Sequence, residues 1–75
     1  MRFPNRERVE QIRKAYPKGV RVELIYMDDK FAPPTHTKGT VLGVDDAGSI
    51  MVSWDNGSRL SLVYGVNVCL KISER

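Results

Sequence analysis

The chain has 75 residues, of which 41% are hydrophobic and 28% are charged, with a net charge of +3 and a single cysteine. A chain of this length predicts a single domain over residues 1–75 with a small core, no second domain and no deep substrate cavity. One cysteine cannot form an internal disulfide, no apolar run approaches the ~20 residues of a membrane span, and the N-terminus lacks the apolar segment of a signal peptide. We therefore expect a cytoplasmic protein without a membrane anchor.

The positive charge is concentrated near the N-terminus. Residues 1–18 carry six basic and two acidic side chains, a net charge of +4, whereas residues 19–75 carry six basic and seven acidic ones, a net charge of −1. Contact with an anionic partner would therefore begin in the N-terminal segment. The alternative is that these charges form a solvated helix face that keeps a small protein soluble.

Residues 5–16 are predicted to form an α-helix. Asn5 is a suitable N-cap, and Pro17 disfavours helical angles at the residue before it, which ends the helix. A helix this short needs tertiary support, so we expect its narrow apolar stripe to dock on the β structure: Val9, Ile12 and Tyr16. Helical geometry places arginines on both flanks of that stripe: Arg6 and Arg13 on one, Arg8 on the other.

Hydrophobic alternation after the helix predicts strands over residues 20–27, 39–44, 50–54, 60–62 and 66–72. Gly43 in the second of these predicts a β-bulge or a close backbone approach. The long loop over residues 28–38 holds the only histidine, but Asp28, Asp29 and His36 lack the spacing of a metal site. No serine or cysteine lies in a recognisable nucleophile motif. We therefore expect no metal, no cofactor and no catalytic centre.

The clearest structural signal is a β-hairpin over residues 49–62. Ile50, Val52 and Trp54 alternate with Met51 and Ser53 in the first arm, and Leu60 and Leu62 alternate with Arg59 and Ser61 in the second. Between the arms, residues 55–57 (Asp-Asn-Gly) tolerate the positive φ angles of a tight turn. This pattern predicts that the only tryptophan is buried.

Short strands in this order, with a tight third-to-fourth hairpin, resemble a small five-stranded SH3-like barrel over residues 19–72, mainly β, with the N-terminal helix as a lid. In the last strand, alternation assigns Val68 and Leu70 to the face opposite Cys69. The predicted core is: Val22, Leu24, Val41, Ile50, Val52, Trp54, Leu60, Leu62, Val68 and Leu70.

The chain also resembles a family of short bacterial and phage or mobile-element proteins known as domain-of-unknown-function family 4314. The resemblance extends over about residues 5–72 and rests on these segments: 13–24 (RKAYPKGVRVEL), 27–29 (MDD), 32–34 (APP), 38–41 (KGTV), 43–48 (GVDDAG) and 52–58 (VSWDNGS). It implies a small barrel with a leading helix, and it implies no activity.

A looser similarity links residues 19–22 (GVRV) and 38–44 (KGTVLGV) to the KOW motif of ribosomal and transcription-factor barrels. In those proteins the strand pair and its glycine loop contact RNA or polymerase. A basic residue beside glycine permits close backbone approach to a phosphate. In this chain the intervening loop is longer, and it is acidic and rigid rather than basic.

These features leave two kinds of partner open for a non-catalytic binding module. A protein partner, which we favour, would use an apolar groove beside the loop over residues 28–38, which we call the Pro-rich loop because it contains Pro33 and Pro34. The aromatic residues of that groove would be Tyr26, Phe31 and Tyr64. A nucleic acid would instead contact the basic side chains: Arg6, Arg13, Lys14, Arg21, Lys38 and Arg59. The predicted protein is an adaptor of a bacterial or mobile-element system, and it is a monomer or a weak homodimer that pairs through residues 20–27 or 66–72.

Overall fold

The computed structural model describes residues 6–72 of the chain. One helix precedes five strands: α1 Arg6–Ala15, β1 Arg21–Tyr26, β2 Lys38–Val44, β3 Ser49–Trp54, β4 Leu62–Val63 and β5 Val68–Ile72. A mainly-β fold with one N-terminal helix is therefore confirmed. The predicted N-cap, Asn5, lies outside the described residues.

The strands form one antiparallel sheet in the order β4-β3-β2-β1-β5. β1 lies between β2 and β5, whereas β4 and β5 are the two edges and are not paired with each other. Across residues 6–72 the sheet is open, so the expected closure into a barrel is not observed. The β3–β4 ladder contains only two residue pairs, because residues 58–61 lie outside any strand. So short a ladder leaves β4 unpaired with β5.

Two β-bulges bend the sheet. The β2–β3 register shifts between Val41 and Gly43, and Gly43 has a φ of 153°, so the predicted bulge at this glycine is confirmed. A second shift lies between Leu24 and Tyr26 in the β1–β5 pair, whose ladder then ends at the pairing of Tyr26 with Val68. Bulges increase the local twist and re-aim side chains at the end of a strand.

The core lies between α1 and one face of the sheet. Its buried apolar residues are: Val9, Ile12, Val22, Leu24, Val41, Val44, Ile50, Val52, Trp54 and Leu62. The helix stripe docks as predicted, since Val9 and Ile12 are buried and Tyr16 packs against the cluster. Leu60, expected in the core, is only half-buried.

The prediction for β5 was wrong, because its two faces are reversed. The β1–β5 register pairs Cys69 with the buried Leu24, and residues that pair across a ladder point to the same face. Cys69 therefore packs against the core, while Val68 and Leu70 point outward and are 46% and 54% exposed. Alternation alone favoured Val68 and Leu70 as the core residues, because they are more apolar than Cys69 and Lys71. It could not show which face of β5 the pairing with β1 would turn toward the core.

Trp54 fills the core beneath β2. It is only 2% exposed, and its Nε1–H donates to the Leu60 carbonyl at 2.9 Å, so burial leaves no polar atom of the indole without a partner. Gly39, which pairs with Trp54 across the ladder, provides the space. A Cβ at this glycine would lie 2.6 Å from Cγ1 of Val52 and 2.8 Å from Cε3 of Trp54.

Candidate protein-binding surface

An apolar surface is exposed at the β5 edge of the sheet. Val66, in the turn before β5, is 56% exposed, Val68 and Leu70 are 46% and 54% exposed, and Tyr26, opposite Val68 on β1, is 52% exposed. We call these four residues the β5 surface. Contiguous exposed apolar side chains are uncommon on small soluble proteins and mark sites of interaction.

The strand edge at this surface is also unpaired within the described residues. β5 pairs with β1 along one side, and within residues 6–72 no strand pairs with its other side. The backbone N–H and C=O groups along such an edge can accept an added strand from another chain. Apolar side chains and an open edge therefore lie together on one element.

A cleft of about 180 Å³ opens beside the β5 surface, between the end of α1 and the two edge strands. Its lining is: Tyr16, Ile50, Leu62, Tyr64, Gly65, Asn67, Val68 and Cys69. Val68 belongs to both the cleft and the β5 surface, so the two are continuous.

Asn67 fixes the turn that carries one wall of the cleft. Its Oδ1 accepts a hydrogen bond from the Val63 N–H at 2.8 Å, and the backbone N–H of Asn67 donates to the Val63 carbonyl at 2.9 Å. Gly65 within the turn has a φ of 89°, a conformation that glycine adopts without a steric penalty. These bonds hold the backbone on either side of Tyr64 at the mouth of the cleft.

Two tyrosine rings and two cations lie at the cleft. The ring centroids of Tyr16 and Tyr64 are 6.5 Å apart with an interplanar angle of 69°, a favourable edge-to-face arrangement. The guanidinium carbon of Arg8 is 5.6 Å from the Tyr64 centroid, and Nζ of Lys71 is 5.4 Å from the Tyr16 centroid. Lys71 also donates to the Ala15 carbonyl at 3.0 Å. Each ring is therefore paired with one positive charge.

The Cys69 thiol lies in the same cleft and is half-buried. Burial raises the pKa of the Cys69 thiol, and the hydrogen bond with Tyr16 and the charge of Lys71 only partly oppose this. Burial is also the main reason that the pKa of Tyr16 is raised. Both groups are therefore neutral near neutral pH, whereas Arg8 and Lys71, among the residues that the structure describes, place positive charge beside the two rings.

Arg13, a predicted partner-binding residue, is held within the molecule. Its Nε donates to the Val44 carbonyl at 3.2 Å, and its terminal nitrogens pair with Glu10 at 2.8 Å and Asp46 at 3.0 Å. The hydrogen bond to Asp46 is the main cause that raises the pKa of Arg13. Arg13 therefore ties α1 to the turn between β2 and β3.

Arg21 is held in a similar way on the opposite face of the sheet. Its two terminal nitrogens contact both carboxylate oxygens of Asp55, at 2.9 and 2.6 Å, and one of them also donates to the Thr40 hydroxyl at 3.0 Å. The hydrogen bond from Arg21 is the main cause that lowers the pKa of Asp55. Two of the six predicted nucleic-acid contacts are thus neutralised by intramolecular carboxylates.

The other four predicted cations are exposed and lie on three different elements. Arg6 and Lys14 are on α1, Lys38 begins β2, and Arg59 lies in the segment between β3 and β4. Of the arginines predicted to flank the helix stripe, Arg13 contacts the β2–β3 turn and Arg8 contacts Tyr64.

The three predicted aromatic residues are exposed, but their contacts belong to separate regions. Phe31 is 72% exposed in the loop, where Nζ of Lys30 lies 5.2 Å from its ring centroid. Tyr26 pairs with Val68, whereas the Tyr64 ring contacts Tyr16. The apolar surface is thus organised by β5 and the 64–67 turn rather than by the Pro-rich loop.

The loop before β2 is bonded to β1. His36 has a φ of 77°, and its N–H donates to the Leu24 carbonyl at 2.7 Å. Its Nδ1 lies 2.6 Å from Oε2 of Glu23, while the Asp29 carboxylate accepts the Phe31 N–H. Among residues 6–72, no group of three His, Cys, Asp or Glu side chains is placed to hold a metal ion.

Sequence reasoning did not single out Tyr16, Cys69, Arg8 and Lys71 as a site. Tyr16 was predicted as part of the helix stripe, and Arg8 was placed on the flank of the helix opposite Arg13. The missing information was the register of β5 against β1, which turns Cys69 and Lys71 toward α1.

Fold and surface together define a small mainly-β domain with one open, apolar edge. The family model described as a domain of unknown function (DUF4314) matches residues 5–72, so the chain belongs to this family. No curated protein and no solved structure matches the chain. Within residues 6–72, no helix has the length and apolar character needed to cross a membrane.

Proposed function

We propose that this protein is a non-catalytic adaptor that binds another protein through the β5 surface and the adjoining cleft. The observation that carries the proposal is the exposure of Val66, Val68, Leu70 and Tyr26 at one edge of the sheet. Covering apolar surface is worth roughly 25 cal/mol per Å². A complex in which a partner covers these side chains is therefore stabilised, because apolar surface that is exposed to water in the isolated chain becomes buried.

The partner segment that suits this edge is an extended polypeptide that pairs with β5 as an additional strand. Main-chain hydrogen bonds to a sheet edge supply affinity, and side-chain pockets along the edge supply specificity. Here the open edge of β5 and the cleft lined by Val68 adjoin. A single added strand would therefore pair with the backbone of β5 and also place a side chain in the cleft.

The contacts of the arginines favour a protein over a nucleic acid. Nucleic-acid affinity depends on cations that neutralise phosphates, and Arg13 and Arg21 already contact Asp46 and Asp55. The remaining four predicted cations lie on three elements. The basic N-terminal segment and the KOW-like pattern remain the support for nucleic-acid binding, which is the alternative function.

A non-catalytic role agrees with the state of the two reactive side chains. The raised pKa of Cys69 keeps the thiol protonated near neutral pH, and a protonated thiol is a poor nucleophile. His36 is 2.6 Å from the Glu23 carboxylate, and both lie outside the cleft lining.

We also propose that the sheet is an opened form of an SH3-like barrel. The strand order, with β1 between β2 and β5 and a β3–β4 hairpin, supports this. The resemblance to short bacterial and phage or mobile-element proteins, together with the single cysteine, supports a cytoplasmic adaptor of a bacterial or phage or mobile-element system.

The experiment is quantitative affinity capture from a lysate of the source cells, with nuclease present. The bait is compared with a Val68→Ser/Leu70→Ser double variant. Leu42→Ser is the matched control, because Leu42 is 42% exposed on β2 and lies outside both the β5 surface and the cleft. We expect one or more proteins to bind the wild type and the control and to be depleted at least several-fold by the double variant.

Equal capture by all three baits would contradict the proposal. Binding to mixed-sequence DNA and RNA at two salt concentrations tests the alternative, because phosphate contacts weaken steeply with salt. Nucleic-acid binding that is lost in an Arg6→Gln/Lys14→Gln variant and retained in the Val68→Ser/Leu70→Ser variant would favour that alternative.

A further inference from the structure

We infer that the cleft between Tyr16 and Tyr64 is a pocket for one aliphatic side chain of an acidic peptide segment, whose carboxylates contact Arg8 and Lys71. This inference rests on the proposed function and specifies the chemistry of the partner. It uses the cleft rather than the whole β5 surface.

The size of the cleft indicates a side chain rather than a free small molecule. Pockets for small ligands usually occupy about 300–1,000 Å³, whereas this cleft occupies about 180 Å³. Ile50, Leu62 and Val68 are among the residues that line it. Such walls suit a leucine- or isoleucine-sized group, because apolar surface is favoured to leave water.

The charges at the cleft indicate an acidic neighbour for that side chain. Arg8 and Lys71 lie 5.6 and 5.4 Å from the two rings that line the cleft. The two groups that Lys71 contacts, the Ala15 carbonyl and the Tyr16 ring, carry no net charge. The Cys69 and Tyr16 side chains remain neutral near neutral pH because the pKa of each is raised. A partner carboxylate beside the pocket therefore meets the ammonium group of Lys71, and the guanidinium of Arg8 lies by the second ring.

The same geometry disfavours a phosphate backbone at this site. Affinity for a phosphate backbone grows with the number of phosphates that cations neutralise. Here two cations are separated by two edge-to-face rings and an apolar floor. Alternating aliphatic and acidic residues in an extended peptide match this arrangement, because such a peptide directs successive side chains to opposite faces.

The test begins with selection of a random peptide library on the wild-type protein. We expect the enriched peptides to contain an aliphatic residue with Asp or Glu nearby. The enriched peptide is then titrated against the wild type, Arg8→Gln and Lys14→Gln at two salt concentrations. Lys14→Gln is the matched control, since it removes the same charge from a different face of α1.

Removing one exposed charge contact is expected to weaken binding roughly two- to fivefold in Arg8→Gln, and high salt should reduce that difference. The Lys14→Gln variant should bind like the wild type. Amide NMR shifts on titration should concentrate at Gly65, Asn67 and Cys69, with Gly57 as a distant reference.

Enrichment of basic or uncharged peptides, no enrichment at all, or equal effects of Arg8→Gln and Lys14→Gln would each overturn the inference. So would binding of mixed-sequence RNA or DNA that Arg8→Gln abolishes. If the capture experiment still shows proteins that depend on Val68 and Leu70, the proposed function survives this result. If that dependence is also absent, both fail.

Discussion

Two regions of the sheet place their apolar side chains in opposite ways. Around β2 and β3, most apolar residues point into a core covered by α1, with Leu42 as an exposed exception. Arg13 ties the helix to the β2–β3 turn. Along β5, Val68 and Leu70 point away from that core. The difference follows from the β1–β5 register. Cys69 pairs with the buried Leu24 and therefore faces the core, so Val68 and Leu70 lie on the face of β5 that α1 does not cover. The covered region stabilises the fold, and the uncovered region is available to a partner.

The largest contrast is expected between two leucines on the two edge strands. Leu62 is 1% exposed and Leu70 is 54% exposed. Leu62→Ala should reduce the free energy of unfolding by about 2–5 kcal/mol, because it leaves a cavity, whereas Leu70→Ala should change it by less than about 0.5 kcal/mol. Urea unfolding followed by Trp54 fluorescence measures both. Similar losses in the two variants would mean that β5 packs inward.

Gly39→Ala tests how tightly the covered region is packed. The new methyl group would lie closer than 3.0 Å to Val52 and Trp54 side-chain atoms, so we expect a loss of about 1–3 kcal/mol from overpacking. The comparison is Gly57→Ala, where the added Cβ meets nothing within 4 Å but φ is +95°, so only the backbone penalty of about 1–2 kcal/mol applies. In Gly39→Ala, the near-ultraviolet circular dichroism of Trp54 should also change. An unchanged Trp54 signal in that variant would contradict the close packing.

Cys69 reports the environment where the two regions meet. Because burial raises the pKa of its thiol, the thiolate fraction at a given pH is smaller than in the unfolded chain. Alkylation of the native protein should therefore accelerate at a higher pH than alkylation of the protein in denaturant, once rates are scaled to their alkaline limits. A native pH profile that coincides with the unfolded one would show that Cys69 is not packed in the cleft.

The smallest expected effect on stability is that of the ion pair between Arg21 and Asp55, because Asp55 is exposed and solvent screens such a pair. The pKa of Asp55 is lowered in the folded state, so the pair contributes stability that is fully present above the unfolded pKa of about 3.9. That contribution is lost as the pH falls through the folded value. The stability difference between wild type and Asp55→Asn should therefore be constant near neutral pH and shrink in acid. A difference that grows in acid has the wrong sign for this account.

Much of the covered region could be predicted from sequence. The alternation in residues 50–54 identified the buried face of β3, and the helix stripe identified Val9 and Ile12, because each pattern repeats its apolar residues at the period of its element. Gly43 predicted the bulge in β2, because a glycine inside a strand pattern often lies at such an irregularity. These signals are local, so one sequence suffices to find them.

The uncovered region was harder, because its structure depends on pairing between distant segments. Val68 and Leu70 are more apolar than Cys69 and Lys71, so alternation pointed the wrong set inward. The bonds from Arg13 to Asp46 and from Arg21 to Asp55 join residues more than thirty positions apart, and no local pattern indicated them. The cleft combines the helix end, both edge strands and a turn, and it is defined only by the folded arrangement.

Site-specific photo-crosslinking in the source cells tests the central claim most directly. A photoreactive phenylalanine analogue replaces Leu70 in one variant and Leu42 in the other, so that an exposed apolar position is probed on each of β5 and β2. The account predicts a discrete crosslink to a different protein from position 70 and little or none from position 42. No protein crosslink from position 70, equal labelling from both positions, or a product composed only of two copies of this chain would contradict it.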